Sequence, residues 1–452
     1  MLMKDVKIDM PGSVRYILNT LNEAGYEAYI VGGCVRDSLI NRNPGDWDIT
    51  TSALPEQVLN IFTSLGCKVV ETGLKHGTVT IIINKESFEV TTYRVDGDYS
   101  DGRHPDSVTF TRSLKEDLAR RDFTINSMSY NESRGLLDYF NGTLDIKNKI
   151  IRCVGNGSDR FNEDALRMLR CIRFSCQLDF DIDKQNLLDI FKISDNIKKI
   201  SFERIREELN KILISQKPEK GLILLAQSKL LENFIPEFKD TYNFNQHSKY
   251  HDKDVFMHTI SVVKNVPCNL EMRLAALLHD IGKPRCFTMG NDGIGHFYKH
   301  EIESQSMAKK ILTRLKFDNK TIDTVCKLIY NHMTPTNLKN KSIKKLIIRV
   351  GRENIYNLLK LMKADRMAAA QEFRNYSDIL SLKYKIDEII NQNEPLSVKE
   401  LAVNGGDLME IGYKQGKEIG IILNSLIEKV LDNPELNTRE QLLKMAVEKK
   451  RL

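Results

Sequence analysis

The chain has 452 residues, which exceeds one ordinary domain and predicts about three units. Charged residues make up 28% and hydrophobic residues 41%, a globular balance that excludes a disordered or membrane-embedded chain. The net charge of +6 permits a polyanionic partner without requiring one. The eight cysteines form no CxxC pair, so they indicate neither a zinc ribbon nor a disulfide framework. No signal peptide or membrane span is visible, and we predict a cytoplasmic location.

The first 150 residues combine helical and strand patterns. Apolar residues at helical spacing predict a helix over 14–24, which ends at Gly25. Segments with alternating polarity or many β-branched residues predict strands over 26–33, 46–51, 78–83 and 87–95. A polar turn at 84–86 separates the last two strands. We therefore expect a mixed α/β domain around a small sheet.

Beyond about residue 155 the strand patterns fade and helical patterns follow one another. The strongest predict helices over 161–178, 202–215 and 220–234. Histidines are frequent from 247 to about 370, and the last 80 residues read as long amphipathic helices. The remainder of the chain is predicted to be all-α.

Paired glycines follow the first strand. Gly32 and Gly33 would let backbone N–H groups approach a phosphate, while Arg36 supplies positive charge. Taken alone, such a pair is more often a tight turn that needs a positive φ.

Two aspartates follow this turn. Asp46 and Asp48 alternate on a predicted strand, which would point both carboxylates to one face, where Mg²⁺ could offset their repulsion. A solvated turn is the alternative interpretation. Glu89, on a later strand, is either a further carboxylate for the same metal or a surface acid.

Residues 32–48 resemble the motif of class II nucleotidyltransferases in the polymerase-β superfamily, which includes bacterial CCA-adding enzymes and poly(A) polymerases. The resemblance implies that Gly33 and Arg36 contact an incoming triphosphate and that Asp46 and Asp48 hold catalytic Mg²⁺. The reaction implied is attack of an RNA 3′-hydroxyl on the triphosphate with release of pyrophosphate.

Two further segments resemble this family. Residues 120–126 resemble its sugar- and phosphate-binding motif, which would place Arg121 on the nucleotide and Asp122 and Asn126 near the ribose. Without the family, this string reads as a solvated ion-pair cluster. Residues 101–105 resemble the flexible loop of enzymes that add the terminal A, which argues against a CC-only enzyme.

Asp164 and Arg167 lie three residues apart on a predicted helix. Such residues are neighbours on a helix surface, and an intrahelical ion pair is the common outcome. A carboxylate beside a guanidinium would also complement the amino donor and ring-nitrogen acceptor that cytosine and adenine share. Guanine and uracil invert this pattern and would leave buried groups unpaired, at a cost of about 1–3 kcal/mol per group.

The same segment resembles the family's nucleotide-selecting motif. That resemblance assigns nucleotide contacts to Asp164, Arg167, Arg170 and Arg173. The last two drift around the helix, so phosphate contacts or packing suit them better than the base edge. Residues 203–209 resemble the neck helix of CCA-adding members, and the basic signature of bacterial poly(A) polymerases is not seen, which favours tRNA as the substrate.

Histidines and aspartates in the helical body follow the order H…HD…H…H…D, which resembles the HD phosphohydrolase superfamily. The residues concerned are His258, His279, Asp280, His300, His332 and Asp365. A single such histidine is more often a core residue, but six ligand types in this order favour a metal site. The set suits Mn²⁺, Fe²⁺, Ni²⁺ or Mg²⁺ and suggests a secondary phosphohydrolase activity on 2′,3′-cyclic phosphates or other blocked ends.

The predicted fold class is α+β: a polymerase-β-type nucleotidyltransferase head with a small mixed sheet, then an all-α neck, an HD body and a tail. The expected domains are 1–150, 151–245, 246–370 and 371–452. The tail resembles that of longer bacterial CCA-adding enzymes, and its lysines could follow tRNA phosphates, although a solvated face is the simpler interpretation for Lys414, Lys417 and Lys429.

The predicted function is Mg²⁺-dependent addition of C, C and A to tRNA lacking all or part of CCA, from CTP and ATP and without a nucleic-acid template. The alternatives are an A-adding enzyme or poly(A) polymerase of the same class, and an HD phosphohydrolase as the main activity. A signalling nucleotidyltransferase that modifies a regulator is disfavoured because no βαββαβ pattern follows. A non-enzymatic RNA scaffold is disfavoured by the intact Asp46 and Asp48.

Overall fold

The computed structural model describes residues 2–3, 5–97, 107–392 and 394–450, which form two compact units. Unit 1 is Met1–Pro236 and unit 2 is Glu237–Leu452. The finer division into four domains stays a prediction.

Unit 1 is built around a mixed sheet with the strand order β1-β10-β9-β2-β3-β6-β5-β4. Neighbouring strands are antiparallel except for the parallel pair β3–β6. Two short ribbons, β7–β8 and β11–β12, accompany the sheet. The described strands are β1 (Leu2–Met3), β2 (Ala28–Val31), β3 (Ile49–Thr51), β4 (Lys68–Gly73), β5 (Thr78–Ile83), β6 (Glu86–Thr92), β7 (Arg94–Asp96), β8 (Val108–Phe110), β9 (Met128–Asn131), β10 (Gly135–Asp138), β11 (Ile150–Ile151) and β12 (Asp181–Ile182).

The helices of unit 1 pack against the sheet and then continue into an all-helical segment. They are α1 (Gly12–Glu23), α2 (Gly33–Leu39), α3 (Pro55–Ser64), α4 (Leu114–Ala119), α5 (Gly142–Asn148), α6 (Gly157–Glu163), α7 (Leu166–Leu178), α8 (Lys184–Ile193), α9 (Phe202–Leu213), α10 (Pro218–Gln227) and α11 (Leu230–Phe234). Short 3₁₀ segments occupy Leu74–His76, Thr124–Asn126 and Ser194–Lys199.

The core of unit 1 follows from the periodicity of its first helix. α1 buries Val14, Ile17, Leu18 and Leu21, the apolar positions that predicted it. Gly25 follows the helix with a φ of 85°, consistent with the predicted end. This stripe packs with buried residues of α3 and of the central strands: Val58, Phe62, Ile30, Ile49, Ile81 and Val90.

Several predicted elements differ from the structure. The helix predicted over 220–234 is divided into α10 and α11, because Lys229 between them has a φ of 61°. The helix predicted over 161–178 is broken, because Asp164 adopts an extended backbone with φ −139° and ψ 106° between α6 and α7. The strand predicted over 46–51 begins only at Ile49, and Asp46 precedes it outside regular structure. Neither the break at Asp164 nor the late start of the strand was predicted, because the hydrophobic periodicity of the sequence continues through both places.

Unit 2 is helical apart from a small ribbon of β13 (Thr288–Met289) and β14 (Gly295–His296). Its helices are α12 (Val255–Asn265), α13 (Leu270–Leu278), α14 (His300–Arg314), α15 (Asn319–Asn331), α16 (Asn340–Val350), α17 (Ile355–Ala368), α18 (Ser377–Asn391), α19 (Gly405–Glu410), α20 (Lys417–Asp432) and α21 (Arg439–Lys450). Short 3₁₀ segments lie at Lys283–Cys286, Gln371–Phe373, Val398–Glu400 and Pro434–Leu436.

Within the described ranges, the helices are all too short or too polar to cross a membrane. The α+β class is confirmed: a mixed sheet in the first unit is followed by helices in both units.

Candidate nucleotide-binding site and histidine cluster

The glycine turn lies between β2 and α2. Gly32 has a φ of 83°, the left-handed region that favours glycine. A Cβ at this position would lie 3.3 Å from Nη1 of Arg121 and 3.8 Å from Oδ2 of Asp48. Gly32 therefore allows the backbone to pass close to the basic and acidic groups of the site, whereas a Cβ at Gly33 would meet only Nη2 of Arg36, at 3.7 Å.

Three carboxylates lie on or beside neighbouring central strands. The carbonyl oxygen of Asp48 accepts a hydrogen bond from the Val31 amide at 3.0 Å, which continues the pairing of β2 with β3. In the parallel pair β3–β6, Ile49 lies opposite Val90, so Asp48 and Glu89 occupy equivalent positions one residue earlier. Asp46 and Asp48 are exposed, as is Glu89.

The carboxylates influence each other's protonation. Partial loss of water around Asp48 raises its pKa, Arg121 opposes this rise, and the negative charge of Asp46 adds to it. Desolvation likewise raises the pKa of Glu89, and the charges of Asp48 and Asp46 raise it further. The three carboxylates therefore repel one another, and a bound divalent cation would offset this repulsion.

A chain of hydrogen bonds links the glycine turn to helix α7. Nη1 of Arg36 donates to Oδ1 of Asn126 at 2.6 Å, and Nδ2 of Asn126 donates to Oδ1 of Asp122 at 3.2 Å. Nε of Arg170 donates to the other Asp122 oxygen at 2.8 Å. Burial alone would raise the pKa of Asp122, but Arg170 and Asn126 lower it to about 2. Asp122 is thus an ionised carboxylate that connects the glycine turn to helix α7.

Arg121 forms an ion pair with Asp117 of α4. Their side chains are 3.6 Å apart, and Asp117 is fully buried. Asp117 also accepts a hydrogen bond from Oγ1 of Thr50 at 3.1 Å, two residues beyond Asp48. Burial would raise the pKa of Asp117, but Arg121 and Arg120 lower it, so the carboxylate stays ionised and can orient Arg121.

Asp164 lies in the break between α6 and α7. Its Oδ1 accepts a hydrogen bond from the Leu166 amide at 2.9 Å, and its Oδ2 accepts one from Nη2 of Arg204 at 2.8 Å. The expected intrahelical pair of Asp164 with Arg167 is therefore wrong in detail: the partner of Asp164 comes from α9. Arg204 was not identified from the sequence, although it lies in the segment 203–209 compared with the neck helix.

Arg167 is anchored by different groups. Its Nη1 pairs with Glu163 and donates to the Arg160 carbonyl at 3.1 Å, and its Nη2 donates to the Arg120 carbonyl at 3.4 Å. The i,i+4 spacing of Glu163 and Arg167 is a helix-pair signal that could have identified Glu163. Asp164 and Arg167 are thus fixed independently.

Arg170 and Arg173 point into the protein packing. Arg170 pairs with Asp122, and Nε of Arg173 lies 3.0 Å from Oε2 of the buried Glu208. Both guanidinium groups also lie over the ring of Phe174, at 5.5 and 4.2 Å from its centroid. This placement agrees with a packing role, and their nucleotide contacts stay a prediction.

In unit 2, the structure brings together the six residues of the predicted HD site, which we call the histidine cluster. His258 lies on α12 and Asp365 on α17, and the other four lie at helix ends or next to them: His279, Asp280, His300 and His332. The four histidines and Asp280 are at most 4% exposed.

The cluster is centred on Asp280. Its Oδ2 lies 3.5 Å from Nε2 of His258 and 3.2 Å from Nε2 of His279, and its Oδ1 lies 3.2 Å from His300 and 3.8 Å from His332. Neither Asp280 oxygen accepts a hydrogen bond of ordinary geometry from the described residues. Two sets of three have ligand atoms within 4.8 Å of one another: His258, His279, Asp280 and Asp280, His300, His332.

Backbone carbonyls orient three of the imidazoles. Nδ1 of His279 lies 2.8 Å from the Ala276 carbonyl, and His300 and His332 make equivalent contacts at 2.8 and 2.6 Å. A carbonyl only accepts, so Nδ1 carries a proton in each of the three rings, and Nε2 is the nitrogen that faces the cluster and could bind a metal when it is deprotonated. The buried carboxylate oxygens and these nitrogens fit a divalent transition metal.

Two further features surround the cluster. Burial alone would raise the pKa of Asp280, but His279 and Lys283 hold the pKa of this carboxyl well below its usual range. The buried Lys283 ammonium lies 2.7 Å from Oδ2 of Asp280 and 3.1 Å from Oε1 of Gln246. Lys283 was not identified from the sequence, although its i,i+3 spacing from Asp280 is a signal. A cavity of about 660 Å³ opens onto Asp280, Lys283 and the exposed ring of Tyr298.

Two predicted features add no geometry to the site. The loop at 101–105 lies outside the described residues, between β7 and β8. Lys414, Lys417 and Lys429 are exposed, as either interpretation of them requires.

Three features together define a nucleotidyltransferase. They are a mixed sheet with carboxylates beside its central strands, a glycine turn, and a chain of hydrogen bonds through arginines into the following helix. Family models match three parts of the chain: the poly(A) polymerase head domain (28–152), the RNA and SrmB-binding site of polymerase A (179–241) and tRNA nucleotidyltransferase domain 2 (299–446).

The similarity extends to whole proteins. The CCA-adding enzyme of Ligilactobacillus salivarius is 34% identical over 95% of this chain and 94% of its own length. The CCA-adding enzyme of Staphylococcus aureus is 31% identical over 95% of this chain and 96% of its own. The crystal structure of the Bacillus stearothermophilus CCA-adding enzyme in complex with CTP is 28% identical, covers 98% of each chain and gives a TM-score of 0.71. The chain belongs to the CCA-adding enzymes of the class II nucleotidyltransferase family.

Proposed function

We propose that this chain adds C, C and A to the 3′ end of tRNA lacking all or part of CCA, from CTP and ATP, without a nucleic-acid template and with Mg²⁺. The observation that carries this proposal is that Asp164 and Arg167 are held by different partners. Both lie next to the chain of hydrogen bonds that leads to the glycine turn. The similarity to an enzyme solved with CTP supports it.

Oxygen ligands of the type that Mg²⁺ prefers are present in Asp46 and Asp48, and Glu89 is an auxiliary carboxylate of the same group. When bound, Mg²⁺ would make the RNA 3′-hydroxyl more acidic and neutralise charge on the triphosphate. The exposure of Asp46 and Asp48 leaves room for nucleotide and RNA oxygens to complete the metal coordination.

The protein side chains bind and orient the reactants. Arg36 and Arg121 face the turn at Gly32 and Gly33, where they would hold the triphosphate. The RNA 3′-oxygen forms a bond to the α-phosphorus, and the bond from that phosphorus to the bridging oxygen breaks. Pyrophosphate leaves with the bonding electron pair, and the hydroxyl proton passes to solvent.

The base is read by Asp164 and Arg167. The Asp164 carboxylate accepts two protein hydrogen bonds from described residues, and a carboxylate has about four acceptor positions. It can therefore also accept from the amino group of cytosine or adenine, while Arg167 donates to the ring nitrogen. A carbonyl group of uracil or guanine would face the carboxylate and leave both groups unpaired.

The direct test uses tRNA transcripts that end before CCA, after C or after CC. With CTP alone we expect two additions to the first transcript, and with CTP and ATP we expect CCA and no further growth. Addition of A only, and only to the transcript ending in CC, would indicate an A-adding enzyme. Unlimited A addition to unrelated RNA would indicate a poly(A) polymerase.

A second candidate function is favoured by the histidine cluster. We propose a metal-dependent phosphohydrolase activity there, on phosphate esters such as blocked RNA ends or 2′,3′-cyclic phosphates. A divalent transition metal would polarise a phosphoryl oxygen and make a nearby water more acidic. Lys283 would hold the phosphate, and the cavity has the volume of a nucleotide-sized ligand.

This second activity is tested with p-nitrophenyl phosphate and with 2′,3′-cyclic nucleotides in the presence of Mn²⁺ or Ni²⁺. His279→Ala should reduce hydrolysis to background and leave CCA addition unchanged. His296→Ala is the matched control, because His296 lines the same cavity outside the cluster. Parent protein without metal or without hydrolysis would exclude this function.

A further inference from the structure

Three guanidinium groups contact one aromatic ring in unit 1. Phe174 lies on α7, and the Cζ atom of Arg173 lies 4.2 Å from its ring centroid. The equivalent distances are 5.0 Å for Arg36 of α2 and 5.5 Å for Arg170 of α7. All three lie within the distance of about 6 Å at which the negative face of an aromatic ring attracts a cation. Phe174 therefore connects α2, which follows the glycine turn, to α7.

The ring of Phe174 is itself held in place. It is 7% exposed and packs against the fully buried Phe123, with ring centroids 5.7 Å apart and an angle of 81° between the ring planes. Edge-to-face contact of this kind is a favourable geometry for aromatic pairs. The Phe123 amide donates to Oδ1 of Asp122 at 2.9 Å. The position of the ring is therefore set by the segment that carries Asp122.

Each of the three arginines also pairs with a carboxylate of its own: Arg36 with Asp37, Arg170 with Asp122, and Arg173 with Glu208. Burial lowers the pKa of Arg173 to about 10, the charge of Glu208 opposes this shift, and the charge of Arg170 adds to it. The three cations are thus close enough to repel one another. The negative face of the ring between them offsets part of this repulsion.

Arg36 can still bind a phosphate. Its Nε donates to Oδ1 of Asp37 at 2.9 Å, and its Nη1 donates to Oδ1 of Asn126 at 2.6 Å. A guanidinium has more N–H groups than these contacts use, so others are available to phosphate oxygens. A Cβ at Gly33 would lie 3.7 Å from Nη2 of Arg36, so this guanidinium lies beside the glycine turn. The direction of the Arg36 side chain therefore decides whether it can hold a triphosphate there.

We propose that Phe174 positions Arg36 for the triphosphate: the ring holds the Arg36 guanidinium by a cation–π contact and keeps it directed at the glycine turn. Arg36 is connected to α7 twice, through the hydrogen bonds of Asn126 and Asp122 and through the ring. The inference rests on the CCA addition proposed above and adds a residue that orients a nucleotide-binding group without touching the nucleotide.

A packing role alone does not account for these contacts. A ring that only fills space needs apolar neighbours, whereas three of the groups around Phe174 are charged. A leucine would fill much of the same volume but would offer the cations no negative face. Packing predicts that changes to the ring alter stability alone, and positioning predicts that they alter triphosphate affinity.

The first test keeps the ring and changes only its charge distribution. Phenylalanine analogues with increasing numbers of fluorine atoms, introduced at Phe174 of the full-length protein by stop-codon suppression, make the ring face progressively less negative at nearly constant volume. Calorimetry with CTP and Mg²⁺, without RNA, should show a dissociation constant that rises stepwise to about five-fold. ATP should show the same factor, because the two nucleotides share the triphosphate. The same series at Phe161, a fully buried ring of α6, is the matched control and should leave both constants unchanged.

The outcomes of this series separate the two proposals. Parent protein that binds CTP and ATP, with a constant affinity throughout the Phe174 series, would overturn the role of Phe174 and leave CCA addition in place. Parent protein that binds neither nucleotide would refute the proposed CCA addition, and the role of Phe174 with it.

The second test uses substitution and kinetics. Phe174→Leu should raise KM for both CTP and ATP by about ten-fold with kcat nearly unchanged, because a contact present throughout the reaction is weakened. Phe174→Tyr keeps the ring and should restore most of the loss. The ratio of kcat/KM for CTP and UTP should stay at the parental value, because Asp164 and Arg167 are held by other partners. If Phe174→Tyr were as stable as the parent in urea and still lost as much affinity as Phe174→Leu, the proposal would fail.

Discussion

The carboxylates of unit 1 and the histidine cluster of unit 2 hold their ligand atoms in opposite ways. Asp46 and Asp48 are exposed, so oxygen atoms of the nucleotide and the RNA would complete the coordination of the metal proposed there. The cluster is buried, and backbone carbonyls orient three of its imidazoles.

This difference follows from what each site has to accomplish. A nucleotidyltransferase has to admit a triphosphate and an RNA end together, so few protein ligands and an open edge are required. A cluster with nitrogen ligands fixed before metal arrives loses little order on binding and favours transition metals over Mg²⁺. The first site should exchange its metal readily and the second should retain it.

Removal of metal by chelation, followed by the addition of single metals, should distinguish the two sites completely. Prolonged treatment with EDTA should abolish both CCA addition and phosphoester hydrolysis. Added Mg²⁺ should restore nucleotide addition in full, whereas hydrolysis should return only with Mn²⁺, Fe²⁺ or Ni²⁺, because imidazole nitrogens bind these ions more tightly. Recovery of both activities on Mg²⁺ alone would remove the distinction between the sites.

Asp48→Asn should reduce CCA addition by about 1,000-fold or more, since several kcal/mol of metal-dependent charge stabilisation would be lost. Incorporation of labelled CMP and AMP measures this effect. The exposed Asp5→Asn provides a control of equal charge change and should leave the rate unchanged. Parental rates in Asp46→Asn, Asp48→Asn protein would refute the assignment of the head site, while the cluster should keep its metal in this variant.

Asp122→Asn tests whether ion pairs hold the first site rigid. The Asp122 pKa of about 2 implies a stability contribution of about 2–3 kcal/mol at pH 7. Because the pKa is lowered by folding, this contribution is present above the unfolded pKa of about 4 and is lost as pH falls towards 2.

Urea unfolding at pH 7 and pH 3 measures the difference between parent and Asp122→Asn, which should shrink at the lower pH. Asp195→Asn is the matched control, because Asp195 forms an exposed ion pair with Lys198 and should have little effect. An equal difference at both pH values would show that Asp122 acts through packing.

Arg204→Gln should weaken nucleotide discrimination by about ten-fold, the smallest expected effect, because Asp164 would lose one of its two anchors. The ratio of kcat/KM for CTP and UTP measures it, and Arg204→Lys should restore part of the ratio. Lys211→Gln, on the exposed side of the same helix, should not change it. A proportional loss for both nucleotides would indicate a merely structural role for Arg204.

Local patterns predicted several elements well. Helix α1, strands β2, β3, β5 and β6 and most helices after residue 155 were evident because burial repeats with the period of each element, whereas β1, β4, β9, β10 and the short strands after residue 155 were not predicted. The six cluster residues were also found from their order alone, and the structure brings them together. Their roles as ligands stay a prediction, as do those of Asp46 and Asp48.

Contacts between distant segments were not accessible in the same way. Arg204 is 40 residues from Asp164, and nothing in the local pattern of either segment records their ion pair. The break at Asp164 was missed because an extended residue between two helices leaves apolar spacing nearly intact. Asp122 was expected near the ribose, but its partner Arg170 is 48 residues away.

The sequence by itself determined which chemical groups the chain carries and on which kinds of element they lie, because periodicity and residue type are local properties. Only the tertiary structure decided which oxygen of Asp280 faces which histidines, and which arginine holds Asp164. Those choices depend on how helices far apart in sequence pack together, and the directions of side-chain atoms are set by that packing.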